Sequence, residues 1–120
     1  MNKGKKGEDQ AAAALETAGM EIITRNFRSK CGEIDIIARD GETIVFTEVK
    51  AWSVFGFEDL QYGIDQKKQN KIIKTAKYFL SENRKYNKMA IRFDVVFVNN
   101  SRALTGSQIT HLASAFTERV

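Results

Sequence analysis

The 120-residue chain has no proline, one cysteine and one histidine. Cys31 and His111 stand alone, so neither a disulfide framework nor a Cys/His zinc site can be assembled within one chain, and any metal site must draw on oxygen ligands. No apolar stretch approaches the roughly 20 residues that a spanning helix needs, and the opening MNKGKKGEDQ lacks the apolar core of a signal peptide. These absences make a cytoplasmic protein with no membrane partner the expectation. Nothing marks a linker either: there is no low-complexity tract and no internal repeat, so residues 1–120 read as a single domain. No segment carries the Arg or Asn spacing of a base-reading helix, which argues against a sequence-specific transcription factor.

What is present is ordinary for a globular chain, with 42% apolar and 28% charged residues. The net charge of +4 favours a polyanionic partner modestly, and its distribution says more than its sum. Lys3, Lys5 and Lys6 form a basic arm, while Lys67, Lys68, Lys71, Lys74 and Lys77 crowd a later segment.

The pattern predicts a helix over 8–18 stopped by Gly19, and a strand over 20–27. Two further strands, 33–39 and 43–51, join around Asp40-Gly41, a strong hairpin signal. An amphipathic helix over 64–83 carries apolar residues at 72, 73, 76, 79 and 80. A strand over 91–98 follows, then a terminal helix over 107–118 with Ile109, Leu112 and Phe116 inward. The fold class is therefore α/β, in the order α-β-β-β-α-β plus a C-terminal helix. The helical crossover between the third and fourth strands favours a parallel, right-handed connection, hence a mixed sheet.

The stretch GEIDIIARDGETIVFTEVK, residues 32–50, sets acids among strand-forming residues. Side chains alternate with period two, so Glu33, Asp35 and Ile37 share a face, as do Phe46, Glu48 and Lys50. With Asp40 and Gly41 at the centre of the turn, Asp35 opposes Phe46 with Glu48 diagonal; with Gly41 and Glu42 central, Asp35 opposes Glu48 directly. Either regular hairpin gathers Asp35, Glu48 and Lys50, and a bulge would part them. Neighbouring carboxylates repel unless a proton or cation intervenes. Mg²⁺ held by Asp35, Glu48 and the Val49 carbonyl would resolve the repulsion, with Lys50 beside it as a catalytic amine. The plainer alternative is that charged strand residues face solvent.

Glu8 shares a helical stripe with Ala11, Ala12 and Leu15, and is either an auxiliary inward acid or a first-turn carboxylate complementing the helix dipole. Glu33 fits a solvent-facing or supporting role, and Asp94 a structural ion pair. Lys67, Lys71 and Lys74 make a basic stripe, which either tracks phosphates or is simply solvated. Gln69, one turn before the apolar stripe, is placed to orient a water or phosphate. In 51–63, Trp52, Phe55, Phe57 and Tyr62 are candidates for base stacking, for a dimer patch or for covering the sheet.

The combination of NFR, the 32–50 stretch, FG, KKQNKI and RFDVVFV resembles the YraN-like family of uncharacterised proteins (UPF0102) over nearly the whole chain. That family is similar in pattern to the restriction-endonuclease-like PD-(D/E)XK nucleases and, among them, to archaeal Holliday-junction resolvases. The resemblance places the superfamily's first-strand acid on Asp35, its E-x-K on Glu48 and Lys50, and its helix-one acid on Glu8, and it matches Lys68 and Gln69 to a K-Q pair. It implies a Mg²⁺- or Mn²⁺-dependent nuclease acting on branched or single-stranded DNA, with RNA an open alternative. In that reading Lys5, Lys6, Lys67, Lys68, Lys71 and Lys74 meet the nucleic acid, and a homodimer is expected. The chain departs from the pattern where Trp52 stands in place of an expected Arg. A non-catalytic DNA-binding scaffold on the same fold is the competing reading.

Overall fold

The computed structural model describes residues 3–52, 64–99 and 108–118. Helix α1 (Lys3–Thr17) precedes three strands, β1 (Glu21–Ser29), β2 (Gly32–Asp40) and β3 (Thr43–Trp52); helix α2 (Gln66–Glu82), a 3₁₀ turn (Arg84–Tyr86) and strands β4 (Ala90–Asn99) and β5 (Gln108–Phe116) follow. The strands form one mixed sheet in the order β1-β2-β3-β4-β5. Among the described strands, only β3 and β4 pair in parallel, as the helical crossover between them requires. Among the described residues no helix is long and apolar enough to cross a membrane.

Among the described residues, one helix covers each face. Ala11, Ala12 and Leu15 of α1 pack on Ile36, Ala38, Val45, Val96 and Val98. Ile72, Ile73, Ala76 and Phe79 of α2 pack on Ile37, Ile44, Phe46 and Phe93. Phe46 anchors the second layer, edge-on to Phe79 at 6.0 Å and stacked on Phe93 at 5.6 Å. Each such aromatic pair adds about 0.5–1.5 kcal/mol beyond burial, and this packing sets where the start of α2 lies.

Helix α1 ends as expected at Gly19. The Gly19 N–H donates to the Glu16 carbonyl at 2.9 Å and the Met20 N–H to that of Leu15 at 3.0 Å, with Gly19 at φ 96°. This pair of hydrogen bonds satisfies two of the last carbonyls and needs a left-handed residue. The helix begins earlier than its composition indicates, at Lys3, so Glu8 lies in the second turn. The dipole's influence fades beyond the first turn, which removes that explanation for Glu8.

Helix α2 starts from Asp65, whose Oδ1 accepts the Lys68 N–H at 2.8 Å. Asp65→Ala is expected to cost about 1 kcal/mol in urea denaturation, the usual worth of an N-cap.

The C-terminal expectation is overturned: residues 108–116 form a strand rather than a helix. Val95 pairs with Leu112 but Phe93 with Phe116, so β5 carries extra residues opposite Asp94. Ser114, at φ 53°, donates its N–H to Asp94 Oδ1 at 2.9 Å across this bulge. The bulge shifts the alternation, so that Ile109 packs toward α1 while Phe116 packs toward α2 and stacks on Phe93 at 5.1 Å. Three apolar residues at helical spacing therefore serve two faces of a sheet, and Leu112 stays 39% exposed. Strand β5 also pairs the flank of β4, where Val95 to Val98 are at most 3% exposed.

Candidate functional site

The β2–β3 turn settles the register. Asp40 pairs with Thr43, making Gly41 and Glu42 the central residues, and pairing continues to Ile36 and Thr47. The next residues in that register are Asp35 and Glu48. Here the ladder stops: Asp35 Oδ2 itself accepts the Val49 N–H at 2.8 Å, taking the place of a strand carbonyl. Glu33 and Asp35 reach the α2 side, as alternation from Ile37 predicts, but Ile34 joins the same side, so alternation fails beside the acid.

Asp35 and Glu48 line a cleft of about 400 Å³ between the end of this hairpin and the start of α2. Gly32, Glu33, Asp65 and Ile72 complete the acidic and apolar walls, and Lys67, Lys68 and Lys71 contribute the basic one. Gly32, at φ 153°, sits where an added Cβ would lie 3.3 Å from Thr75 Oγ1 and 3.4 Å from Lys71 Cβ, so its bare backbone lets α2 approach β2.

Glu48 is 6% exposed, and Lys68 Nζ lies 2.9 Å from its Oε1. Burial raises the Asp35 pKa and the adjacent Glu48 charge raises it further, against the Val49 N–H that favours the carboxylate; the result is about 7 from an ordinary 3.8. Burial alone would lower the Lys68 pKa, but the hydrogen bond and charge of Glu48, with Asp35 and Glu33 behind, lift it above the ordinary lysine value. Glu8 is also raised, by burial first and then by Asp35, although Asn26 and Arg25 oppose this. The Glu8 carboxylate lies 3.8 Å from Arg25 Nη2, which sits closer, at 2.7 Å, to Asp9. It therefore senses Asp35 electrostatically without lining the cleft.

Other candidates fall elsewhere. Lys50 follows Glu48 on the same face by alternation, but it is not among the residues lining the cleft. Gln69 donates its side-chain amide to the Ile64 carbonyl at 3.1 Å and so fixes the chain entering α2. Lys74 is exposed and away from the cleft, and Lys77 pairs with Glu118. Val49 meets the site through its N–H. The side chains of Lys5 and Lys6 lie outside the described residues, as do the aromatics of 52–63. Gly32 and Asp65 were not singled out by sequence reasoning. Asp65, directly before an amphipathic run, carries an N-cap signal; the closeness of Gly32 to α2 has no local signature.

Among the described residues, Asp, Glu, His and Cys side chains do not gather in threes around a metal position. Two carboxylates remain, side by side and mutually repelling, one of them driven toward protonation. That donor set fits a hard divalent cation completed by backbone and solvent oxygens, the usual pattern for Mg²⁺.

A family model described as "Uncharacterised protein family UPF0102" matches residues 7–98. The chain belongs to UPF0102. A UPF0102 protein of Treponema denticola is 46% identical over 121 residues, spanning 94% of this chain and 93% of its own length. The UPF0102 protein of Treponema pallidum strain Nichols is 44% identical over 118 residues, with 98% and 94% covered, and that of Persephonella marina 43% identical over 114, with 95% and 92% covered. The part matched to UPF0102 runs from the start of the Glu8 turn through β4, so every element lining the cleft lies within it. The family description states no reaction, and the chemistry has to be argued from the cleft.

Proposed function

We propose that this UPF0102 chain is a Mg²⁺- or Mn²⁺-dependent nuclease on a restriction-endonuclease-like core, hydrolysing DNA phosphodiesters and selecting branched or single-stranded DNA rather than a base sequence. The observation that carries this reading is the convergence of Asp35 and Glu48 on one wall of a cleft whose other wall presents Lys67, Lys68 and Lys71. Acids that favour a cation and amines that favour a phosphate face each other across one space, which is the polarity a phosphodiester substrate needs. Bound there, a divalent cation supplies Lewis-acid polarisation of a phosphoryl oxygen, and Asp35, Glu48 and the Val49 carbonyl are the groups that would hold it.

The chain's own residues do the remaining work. The three lysines neutralise backbone phosphates and orient the strand at the acids. The Val49 N–H holds the Asp35 carboxylate in one orientation. Gln69 keeps the entry to α2 in place through Ile64, which makes it a positioning residue. Glu8 adds negative potential behind Asp35. A homodimer presenting two clefts to two strands belongs to this reading by analogy with junction resolvases.

The deciding experiment is cleavage of labelled branched, single-stranded and duplex DNA, and of RNA, with Mn²⁺, Mg²⁺ or EDTA. Cutting with either cation and none in EDTA is the expected result. Absence of cutting under every condition, with salt-dependent retention of DNA, would leave the non-catalytic scaffold. One observation favours that second reading: Lys50, the amine the E-x-K pattern assigns to catalysis, does not line the cleft.

A further inference from the structure

The Lys68 side chain has a position that phosphate contact alone does not explain. Its backbone N–H is tied to the Asp65 cap at 2.8 Å, while its ammonium crosses the cleft to Glu48 Oε1 at 2.9 Å. Lys67 and Lys71 line the same wall but make no such contact among the described ion pairs. Glu48 is almost fully buried, whereas the Lys68 side chain is 46% exposed. The carboxylate is therefore fixed, and the amine is free to swing out into solvent on its own stem.

We infer that Lys68 is an internal counter-cation for the Asp35–Glu48 pair, one that a divalent cation must displace, and that the displaced ammonium is then handed to the substrate phosphate. This rests on the cation-binding part of the reading above. A buried pair of carboxylates needs positive charge nearby, and Lys68 supplies one charge where a divalent ion supplies two. Both address the same Glu48 oxygens, so they compete. Once released, the Lys68 amine remains anchored at the start of α2 beside Lys67 and Lys71, and joins them on the phosphate-facing wall. Cation binding and polyanion binding then reinforce each other, reciprocally, through one side chain.

The test is calorimetric titration of Mn²⁺ into wild type, Lys68→Met and Lys67→Met, with binding of an uncleaved phosphorothioate single strand measured by each protein with and without Mn²⁺. Lys68→Met keeps the aliphatic stem, and urea denaturation of each protein in EDTA establishes that the variants are folded before the titration is read. Removing the competitor is expected to tighten Mn²⁺ binding about two- to fivefold in Lys68→Met, the range of a partly exposed ion pair, with Lys67→Met close to wild type. In wild type, Mn²⁺ is expected to strengthen strand binding more than it does in Lys68→Met. Unchanged or weaker Mn²⁺ binding in Lys68→Met overturns the inference, as does failure of all three proteins to bind Mn²⁺. The nuclease reading fails separately: tighter Mn²⁺ binding by Lys68→Met without cleavage by wild type would keep the displaced counter-cation and discard the hydrolysis.

Discussion

In EDTA at pH 8, Asp35→Asn is expected to be more stable than wild type by about 2–4 kcal/mol, and with Mn²⁺ restored to cleave DNA about 10²–10³-fold more slowly. The stability half follows from linkage. The Asp35 pKa is raised from 3.8 to about 7 by burial and by Glu48, so the folded state holds a proton that the unfolded chain releases. A raised acid contributes its stabilisation fully below about pH 3.8 and loses it as pH climbs through 7. At about 1.36 kcal/mol per unit the loss is bounded by roughly 4 kcal/mol. Asparagine removes the charge and still offers an oxygen to the Val49 N–H. The difference between variant and wild type should thus be small at pH 4 and grow up to pH 8, as urea denaturation across that range would read. The activity half has the opposite sign, because the carboxylate that costs stability is the one that would hold the cation. A variant more stable and less active cannot have lost activity by unfolding. A flat stability difference between pH 4 and 8 would contradict the buried acid pair, and undiminished cleavage would contradict the role of Asp35 whatever its stability.

The convergence of Asp35 and Glu48 was legible because it depends on short-range rules. Period-two alternation and a two-residue turn bring the acids together in either regular register, and the observed turn, with Asp40 opposite Thr43, selects the direct one. The long amphipathic helix, the parallel crossover and the Gly19 stop were legible because each is carried by a continuous stretch of chain. What escaped depends on contacts distant in sequence. Lys68 reaches Glu48 because Phe79 seats α2 against Phe46, and because Gly32 has no side chain to hold the helix away. A helical wheel shows Lys67 and Lys71 aligned and says nothing of which lysine tips toward the sheet. Gln69 was placed correctly near the start of α2, yet its amide found a carbonyl closer than the cleft.

The misreading of β5 as a helix has the same origin, and it leads to a second large expected effect. Asp94→Leu is expected to destabilise the fold by about 2–4 kcal/mol, from the lost charge-assisted hydrogen bonds and a buried donor left without its acceptor. Asp94 is 0% exposed. Its Oδ1 accepts from Arg92 Nε and the Ser114 N–H, both at 2.9 Å; its Oδ2 accepts from Arg92 Nη2 at 3.0 Å and lies 2.7 Å from His111 Nε2. Burial would raise its pKa, but the hydrogen bonds from His111, Arg92 and Ser114 hold the carboxyl below the usual range. A depressed acid contributes stability above its ordinary pKa of 3.8 and loses it as pH falls further, so this network adds acid lability below about pH 4. Asp94 alternates with Phe93 and so lies on the α1 face, away from the cleft. Leucine would fill the space yet leave the Ser114 N–H without its acceptor in the bulge that Asp94 bridges. Arg92 keeps a second partner in Asp40, at 3.2 Å, and access to solvent, so the penalty concentrates on β5. Hydrogen exchange should show the amides of 108–116 losing protection before those of β2 and β3, and Asp94→Asn, which keeps an acceptor for Ser114, should recover part of the loss. Uniform loss across the sheet would mean that Asp94 supports the core as a whole rather than pinning the bulged strand.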